Sequence, residues 1–377
     1  MVRRGLPFAV TMLLVWSIAD LEAQLRHRIA DAPLCGTCTV TVQRTTVIYD
    51  RDGHAGLSSP TPQDVLRTSS GKLVVISTNP AEALLFNEGG DFVKRLGRAG
   101  QGPGEYRSPR SAIQGVGDTV WIVDSGLQRR TAWSPDGAYL GAQHRIPSLL
   151  VDAVMLPNRS WVLSGPGTGA TSIGLPLHLV GDDGTIAMSF GPEIDVNPTG
   201  HLPGWIRRRL ADAADGNFWA VWRYEYSLEK YDSQGELRQV IERDAPWFSA
   251  GEPGRPGRLD RDGPAAAVVG MVENDEGLAK VLVTVPGRNW REGLGERELQ
   301  PGFEAAGVYW TPIRDYDKVY GFVIEIIDVR RRELLYRRRF NGLALGWVDH
   351  NHFATYREDE WAIPVIEIHR VSFTDSR

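Results

Sequence analysis

The sequence has very little cysteine. Its 377 residues include two cysteines, Cys35 and Cys38, in the motif Cys-Gly-Thr-Cys. A zinc site on this motif would need two more ligands, and haem attachment would need histidine after Cys38, where Thr39 stands. A disulfide between the two cysteines is the favoured interpretation. Idle thiols, or a metal or redox role, are the alternatives.

Long apolar runs are also missing. A spanning helix needs roughly 18 such residues, and the longest run, at 6–19, has 14. Arg3 and Arg4 precede it and Ala23 follows it, a pattern typical of a secretory signal peptide at 1–23. We therefore expect a secreted or periplasmic protein with no membrane insertion. Cys35 follows Pro33 and Leu34 and not the small residues that precede a lipidated cysteine, so no lipid anchor is predicted.

An excess of basic charge is absent as well. The formal net charge is −5 and the isoelectric point is near 6.0, which excludes a broad electrostatic grip on nucleic acid. The expected partner is a small molecule, a glycan or a protein, and we expect a monomer.

Common catalytic motifs are not present. The chain has no Gly-x-Ser-x-Gly or His-Glu-x-x-His pattern. The glycine-rich segment RAGQGPGEYRSP at 98–109 lacks the Lys-Ser/Thr of a phosphate-binding loop, and a strand-like segment follows it. These absences favour binding over catalysis.

A repeat of turns is the main positive signal. Four turns, NEGGDF, SPDGAY, GDDGTI and DSQGEL, place a glycine at Gly90, Gly137, Gly184 and Gly235, spaced by 47, 47 and 51 residues. Such a period is typical of β-propeller blades. Four short apolar runs bounded by turn residues fill each of the first four units, as a four-stranded antiparallel meander requires.

The fold predicted from this repeat is an all-β, six-bladed propeller forming one domain at 24–377. The expected blades are 63–97, 110–144, 150–191, 207–243, 266–340 with an insertion at 287–318, and 343–373. The last blade lacks a fourth strand, and a spare strand lies at 40–50. We expect this N-terminal strand to complete the last blade and close the ring.

The sequence resembles secreted bacterial six-bladed propellers related to the NHL-repeat and TolB-like families. The resemblance rests on the Cys-x-x-Cys segment, the connector GRAGQGPGEYRSP and the run from DTVWIVD to SPDG. It implies the fold and an exported location. Within the wider superfamily it implies lyases, metal-dependent lactonases, sensors or scaffolds.

Long loops are predicted on one face of the propeller, here called the long-loop face. They lie at 98–109, 164–176, 191–207, 244–264 and 287–318, whereas the turns on the opposite face are short. Long loops in a compact fold usually carry binding residues.

Candidate binding residues follow from this arrangement. Polar residues that begin innermost strands should line the channel mouth, charged residues of the first inter-blade loop should face a ligand or pair with each other, and tryptophans of the insertion should cap the channel or pin the loop. They are Asp64, Arg110, Asp152 and Arg208; Arg98, Glu105 and Arg107; Trp290 and Trp310.

No cofactor is predicted. Asp64 and Asp152 are too few for the usual calcium site, so a divalent cation such as calcium is only an alternative. His350 and His352 have ligand-like spacing but belong to a short turn, so we interpret them as solvated turn residues. The leading hypothesis is an exported, non-enzymatic propeller that binds on its long-loop face. The alternative is a propeller lyase or metal-dependent lactonase.

Overall fold

The computed structural model describes residues 25–49, 53, 57, 62–144, 146, 152–165, 174–192, 208–248, 263–299 and 309–375. The predicted signal peptide at 1–23 lies outside these residues. Six mainly antiparallel sheets, blades 1 to 6, surround a central axis. The innermost strand of each blade contacts that of the next, and the sixth contacts the first. These strands are Asp64–Arg67, Pro109–Gln114, Asp152–Met155, Arg208–Asp212, Ala267–Glu273 and Leu343–Trp347.

The three outer strands of each blade follow in chain order in blades 1 to 5. They are Leu73–Thr78, Ala81–Phe86 and Phe92–Ala99; Val120–Asp124, Arg129–Trp133 and Tyr139–His144; Trp161–Ser164, Leu177–Val180 and Ile186–Phe190; Phe218–Trp222, Ser227–Tyr231 and Leu237–Arg243; Leu278–Pro286, Tyr320–Asp328 and Glu333–Asn341. Blade 6 continues with His352–Glu358 and Pro364–Thr374. A two-residue strand, Glu105–Tyr106, adds in parallel to the edge of blade 1.

The repeated glycines occupy equivalent turns in blades 1 to 4. Each donates its backbone N–H to the carbonyl three residues earlier, and their φ angles are 93, 77, 81 and 79°. Residues with a Cβ rarely adopt this left-handed conformation. The repeat in the sequence therefore arises because the return turn of each of these blades requires a glycine at the same position.

The predicted ring closure is confirmed. Thr39–Tyr49 is the outermost strand of blade 6 and pairs antiparallel with Pro364–Thr374, with Thr39 opposite Thr374. Ile48 on this strand is fully buried. The N-terminal and C-terminal parts of the chain thus share one sheet.

The N-terminal segment does more than close the ring. Arg26–Ile29 pairs in parallel with Leu237–Arg243, as a fifth strand of blade 4. The backbone N–H groups of Leu34 and Cys35 then donate to carbonyls of blade 5, before the chain enters blade 6. Residues 26–49, here called the N-terminal strap, therefore cross three consecutive blades.

The strap contains the disulfide. Cys35 and Cys38 are bonded to each other, and each is 7% exposed. They pack with Val40, Phe322 and other apolar residues in the interface between blades 5 and 6.

The apolar core is divided among the blade interfaces. The described residues form six buried clusters, and each cluster combines side chains from two adjacent blades. The propeller is therefore held by faces of neighbouring sheets, and the axis is left open.

The described part of the blade 5 insertion is mostly non-helical. It holds a 3-10 turn at Trp290–Gly293 and a strand at Glu298–Leu299. The strand pairs with Tyr309–Trp310. The α-helix lies later, at Tyr316–Val319, where the Asp315 side chain accepts two backbone N–H groups.

Candidate functional site

A cavity of about 570 Å³ runs along the propeller axis. Its wall comes from all six innermost strands and is about half apolar, with Val65, Leu210, Val269, Met271 and Leu345 among its residues. Charged side chains stand at its two ends. Because the innermost strands of all blades run the same way, residues near their starts mark one end and residues at their ends mark the other.

The first end, here called the carboxylate end, is formed by Asp64, Ser111, Asp152 and Arg209. The Ser111 hydroxyl lies 3.2 Å from Asp64 Oδ2 and 3.3 Å from Asp152 Oδ1. Arg209 Nη1 lies 3.8 Å from Asp152 Oδ2. One polar chain therefore joins blades 1, 2, 3 and 4 beside the axis.

The two aspartates occupy the same position in their blades. Each begins an innermost strand, and each accepts a backbone N–H from a neighbouring innermost strand: Ala112 donates to Asp64 at 2.8 Å, and Leu210 donates to Asp152 at 3.0 Å. Edge strands expose unpaired N–H groups, and these carboxylates satisfy two of them. The aspartates thus link successive blades and also place carboxyl groups in the channel.

The environment of the two carboxyl groups disfavours their charged forms. Burial, followed by the nearby Asp152 charge, raises the pKa of Asp64 from 3.8 to about 6. Burial likewise raises the pKa of Asp152. Near neutral pH the carboxylate end is therefore poised to exchange a proton.

Replacing Asp64 with asparagine should change the pH dependence of stability. Since the folded-state pKa of Asp64 lies above its unfolded value, its protonated form stabilises the fold below about pH 4, and this contribution is lost as pH rises through about 6. Asp64→Asn avoids that loss. The unfolding free energy of the variant relative to the native protein should rise by roughly 2 to 3 kcal/mol between pH 4 and 7.5.

Urea denaturation at a series of pH values measures this difference. Gln43→Asn is the control because this exposed side chain has no ionisable group, and its curve should be flat. A flat curve for Asp64→Asn would contradict the raised pKa.

The other end of the channel, here called the turn end, is formed by Arg67, Asp212, Asp349 and His350. Arg67 Nη1 lies 3.2 Å from Asp349 Oδ2, joining blade 1 to blade 6. His350 Nε2 lies 3.5 Å from Asp212 Oδ2, joining blade 6 to blade 4. His350 is thus more than the solvated turn residue expected from the sequence.

The predicted position of the Arg208 side chain is corrected by the structure. Arg208 is fully buried away from the channel, with its guanidinium carbon 3.7 Å from the Trp222 ring centroid and Nε 3.3 Å from Glu229 Oε2. Successive side chains of a strand point to opposite faces, so Arg209 lines the channel instead. Arg110 likewise contacts Gln63 and is absent from the channel wall.

The charged residues of the first inter-blade loop mainly stabilise that loop. The Glu105 carboxylate accepts the N–H groups of Gln101 and Gly102 at 3.0 and 2.9 Å, and Arg98 Nε donates to it at 3.2 Å. The hydrogen bond from Gly102, followed by that from Arg98, lowers the pKa of Glu105. The exposed Arg107 is anchored through its backbone N–H, which donates to Asp124.

Close packing explains the glycines of this loop better than phosphate binding does. A Cβ on Gly97 would lie 2.4 Å from the Gly104 carbonyl oxygen and 2.2 Å from the Tyr106 ring. Tyr106 is fully buried, and its hydroxyl accepts a hydrogen bond from the Trp133 indole at 2.7 Å. The backbone of the loop therefore passes too close to itself for a side chain.

The described part of the insertion does not contribute to the channel wall. The Tyr316 ring packs edge-on against Tyr356 of blade 6, with centroids 5.0 Å apart. The Trp290 ring is half-buried, beside Gly263 and 4.5 Å from the Arg291 guanidinium carbon. The backbone of Trp310 pairs with Glu298. These contacts hold the insertion on blades 5 and 6.

The carboxylate end does not offer a ready calcium site. Asp64 and Asp152 already accept hydrogen bonds on all four oxygens. Within the described ranges, the one group of three metal-ligating side chains is Cys35, Cys38 and Asp375, and its sulfurs are joined in the disulfide. A cation would therefore have to displace existing hydrogen bonds.

Sequence reasoning found Asp64 and Asp152 but missed Ser111 and Arg209. Asp64, Asp152 and Arg208 each begin their strands, so position along the strand could not select Arg209 over Arg208. No local pattern marks Ser111, because its two partners belong to other blades.

Known propellers are similar to this chain. A family model whose description reads "6-bladed beta-propeller", DUF5128, matches residues 62–162. The structure of a Bacteroides fragilis protein described as exported is 10% identical, with a TM-score of 0.56, over 92% of this chain and 99% of that chain. A DUF4221-family member from Bacteroides vulgatus is 8% identical, with a TM-score of 0.59, over 89% and 99%.

An enzyme is also among the similar structures. Virginiamycin B lyase from Staphylococcus aureus is 9% identical, with a TM-score of 0.47, over 88% of this chain and 99% of that chain. No curated protein sequence matches the chain. Identities this low show a shared fold only: the chain is a six-bladed β-propeller.

Proposed function

We propose that this protein is an exported, non-enzymatic propeller that binds a small molecule in its axial channel. The observation that carries the proposal is the channel itself. Its volume of about 570 Å³ falls within the range of roughly 300 to 1,000 Å³ that is usual for small-molecule sites. The cavity combines apolar side chains with charged groups at both ends, and such sites use an apolar surface together with a few polar anchors.

The charges of the channel favour a neutral or cationic ligand. Four carboxyl groups line it, against two arginines and one histidine. Asp152 and Asp349 each have an arginine within 4.0 Å and Asp212 has His350, whereas no ion pair of Asp64 is found in the described residues. An amine on the ligand would supply the missing positive charge near Asp64, whereas a carboxylate would be repelled.

The exported location is part of the proposal. The signal-like pattern at 1–23 supports it, as does the likeness to an exported Bacteroides protein. Among the described residues, no helix has the length and apolar character required to cross a membrane. The relationship to NHL-repeat and TolB-like propellers, which the sequence resembles, stays a prediction.

A matched set of probes tests the channel. We expect 4-phenylbutylamine to bind most tightly, 4-phenylbutanol more weakly and 4-phenylbutyrate least, because the three share one apolar body and differ only in the charge of the head group. Isothermal titration calorimetry measures the affinities. Equal affinities, or the tightest binding by the carboxylate, would contradict the predicted preference.

A channel-filling variant locates the binding. Gly270 lines the channel, and a Cβ there would lie 3.3 Å from Trp347, another residue of the wall. Gly270→Leu should therefore abolish binding of the amine probe. Gly36→Leu is the control, because a Cβ at this exposed glycine meets nothing within 4 Å. Probe binding that survives Gly270→Leu would place the ligand elsewhere.

The long-loop face stays a predicted binding surface for a glycan or protein. Most of its loops, including 166–173, 193–207 and 249–262, lie outside the described residues. The channel is preferred here because its lining is described.

A propeller lyase or lactonase is the second candidate. One observation favours it: burial raises the pKa of Asp64 to about 6, as suits a general acid near neutral pH. Metal analysis of protein purified without chelator separates the candidates, since a stoichiometric divalent cation would favour the metal-dependent enzyme.

A further inference from the structure

We propose that His350 and Asp212 form a pH-dependent latch across the turn end of the channel, closed in acid and released in alkaline solution. The latch would control access to the cavity, and its biological meaning rests on the proposed function of that cavity. The inference comes from the position of the pair, which spans blades 6 and 4 while both residues line the channel.

The turn that carries His350 is held on three sides. Asp349 accepts the N–H groups of Asn351 and His352 and pairs with Arg67 of blade 1. From blade 5, Lys280 Nζ donates to the His350 carbonyl at 3.0 Å and to the Asn351 side chain at 2.7 Å. The backbone of the turn is therefore fixed, and the His350 ring reaches out from a rigid base.

The contact with Asp212 is the least protected of these connections. The side chains of His350 and Asp212 are 58% and 50% exposed, whereas Asp349 and Arg67 are 23% and 22% exposed. Histidine is also the side chain whose charge ordinarily changes between pH 5 and 8. The contact can therefore open without disturbing the bonds that hold the turn.

The surrounding charges agree with this assignment. The hydrogen bond to Asp212 raises the pKa of His350, the neighbouring Asp349 adds to this effect, and burial and the Lys280 charge oppose it. The same hydrogen bond lowers the pKa of Asp212, so Asp212 stays ionised while His350 titrates. His352, on the same blade, directs its ring at Asp349.

The direction of the pH effect follows from linkage. Because the folded-state pKa of His350 lies above its unfolded value, the ion pair is fully formed below about pH 6.5 and is lost as pH rises through the folded-state pKa. Above that range the neutral ring has no charge attraction for Asp212. The channel is therefore more open in alkaline than in acid solution.

A single thiol in the channel measures its accessibility without any ligand. Leu345 lines the cavity, and both native cysteines are in the disulfide, so Leu345→Cys introduces one reactive group. We would measure its rate of reaction with methyl methanethiosulfonate, a small neutral reagent, in this variant and in the same variant carrying His350→Gln. The pH dependence of the thiol itself cancels in the ratio of the two rates.

The rate in the variant that also carries His350→Gln, divided by the rate with Leu345→Cys alone, should be about 3 to 5 at pH 5.5 and about 1 at pH 8.5. A factor of this size corresponds to the free energy of an exposed ion pair. Asp212→Asn should reproduce the ratio, and the double variant should add nothing, because either change breaks the same contact. A ratio of 1 at both pH values would overturn the latch. A ratio above 1 that is equal at both values would overturn its pH dependence.

Two precautions keep the test decisive. If Leu345→Cys does not fold, Val269→Cys places the thiol on another innermost strand of the same cavity. Because no ligand is used, a failed latch leaves the binding of the amine probe intact. Conversely, a pH-dependent ratio without probe binding would support the latch and contradict the proposed function.

Discussion

Removal of the N-terminal strap, residues 26–49, should leave a chain that does not fold. The deletion strips the outer strand from blade 6, the fifth strand from blade 4 and the disulfide from the interface between blades 5 and 6. Val40 and Ile48 are 4% and 0% exposed, so their removal also exposes the apolar side chains that pack against them. Burial of one such side chain contributes about 1.5 to 3 kcal/mol.

The losses from the deletion exceed what the fold can tolerate. A domain is stable by only about 5 to 15 kcal/mol, and the strap supplies many buried contacts as well as the pairing of strand Pro364–Thr374. We expect loss of the cooperative thermal transition seen by circular dichroism. A deletion variant that keeps the native melting temperature would contradict closure by the strap.

A rearranged chain is the matched control. Thr39 lies opposite Thr374 in antiparallel register, so residues 39–49 can be appended directly after Thr374 through a two-residue Asn-Gly hairpin turn. This version should recover a cooperative transition, although at a lower temperature because the disulfide and the blade 4 strand are missing. Recovery would show that the strand itself, and not its N-terminal position, completes blade 6.

Arg243→Met is expected to cost about 3 to 5 kcal/mol of unfolding free energy. The side chains of Arg243 and Glu325 are both 0% exposed, and they form two hydrogen bonds of 2.9 Å each. Removal of the guanidinium leaves the Glu325 carboxylate buried without its counter-ion. Arg243 Nη1 also donates to the carbonyls of Ile29 and Ala30, so the strap loses an anchor.

Two further variants isolate the buried charge. Arg238→Met removes an arginine of the same strand that pairs with Asp232 while 57% exposed, and it should cost less than about 1 kcal/mol. Arg243→Met combined with Glu325→Leu should recover most of the loss, because neither charge remains. Urea denaturation measures all three. If Arg243→Met and Arg238→Met lowered the unfolding free energy equally, burial of the Arg243 ion pair could not be the cause of the larger expected loss.

The fold could be predicted from the sequence because its signals are local. Each return turn needs a glycine at a positive φ angle, and this requirement recurs with the blades. The spare strand near the N-terminus and the missing strand near the C-terminus were both visible as strand patterns. Pairing them required only the general rule that a propeller closes its ring.

The fifth strand of blade 4 had no such signal. Arg26–Ile29 is a four-residue parallel strand, and its sequence RHRI has neither the alternation nor the turn residues that mark a strand. Its position depends on the outer edge of blade 4 and on Arg243, more than 200 residues away in the chain. Only the assembled ring provides that edge.

Some of the channel residues could be predicted from the sequence, and others could not. Sequence position placed Asp64 and Asp152 at the starts of innermost strands, which follows from blade periodicity alone. The tertiary structure decided that Ser111 joins them, that Arg209 and not Arg208 lines the channel, and that His350 reaches Asp212 across the axis. The physical reason is that strand periodicity determines where a residue lies within its blade, whereas ring geometry determines which residues of different blades meet.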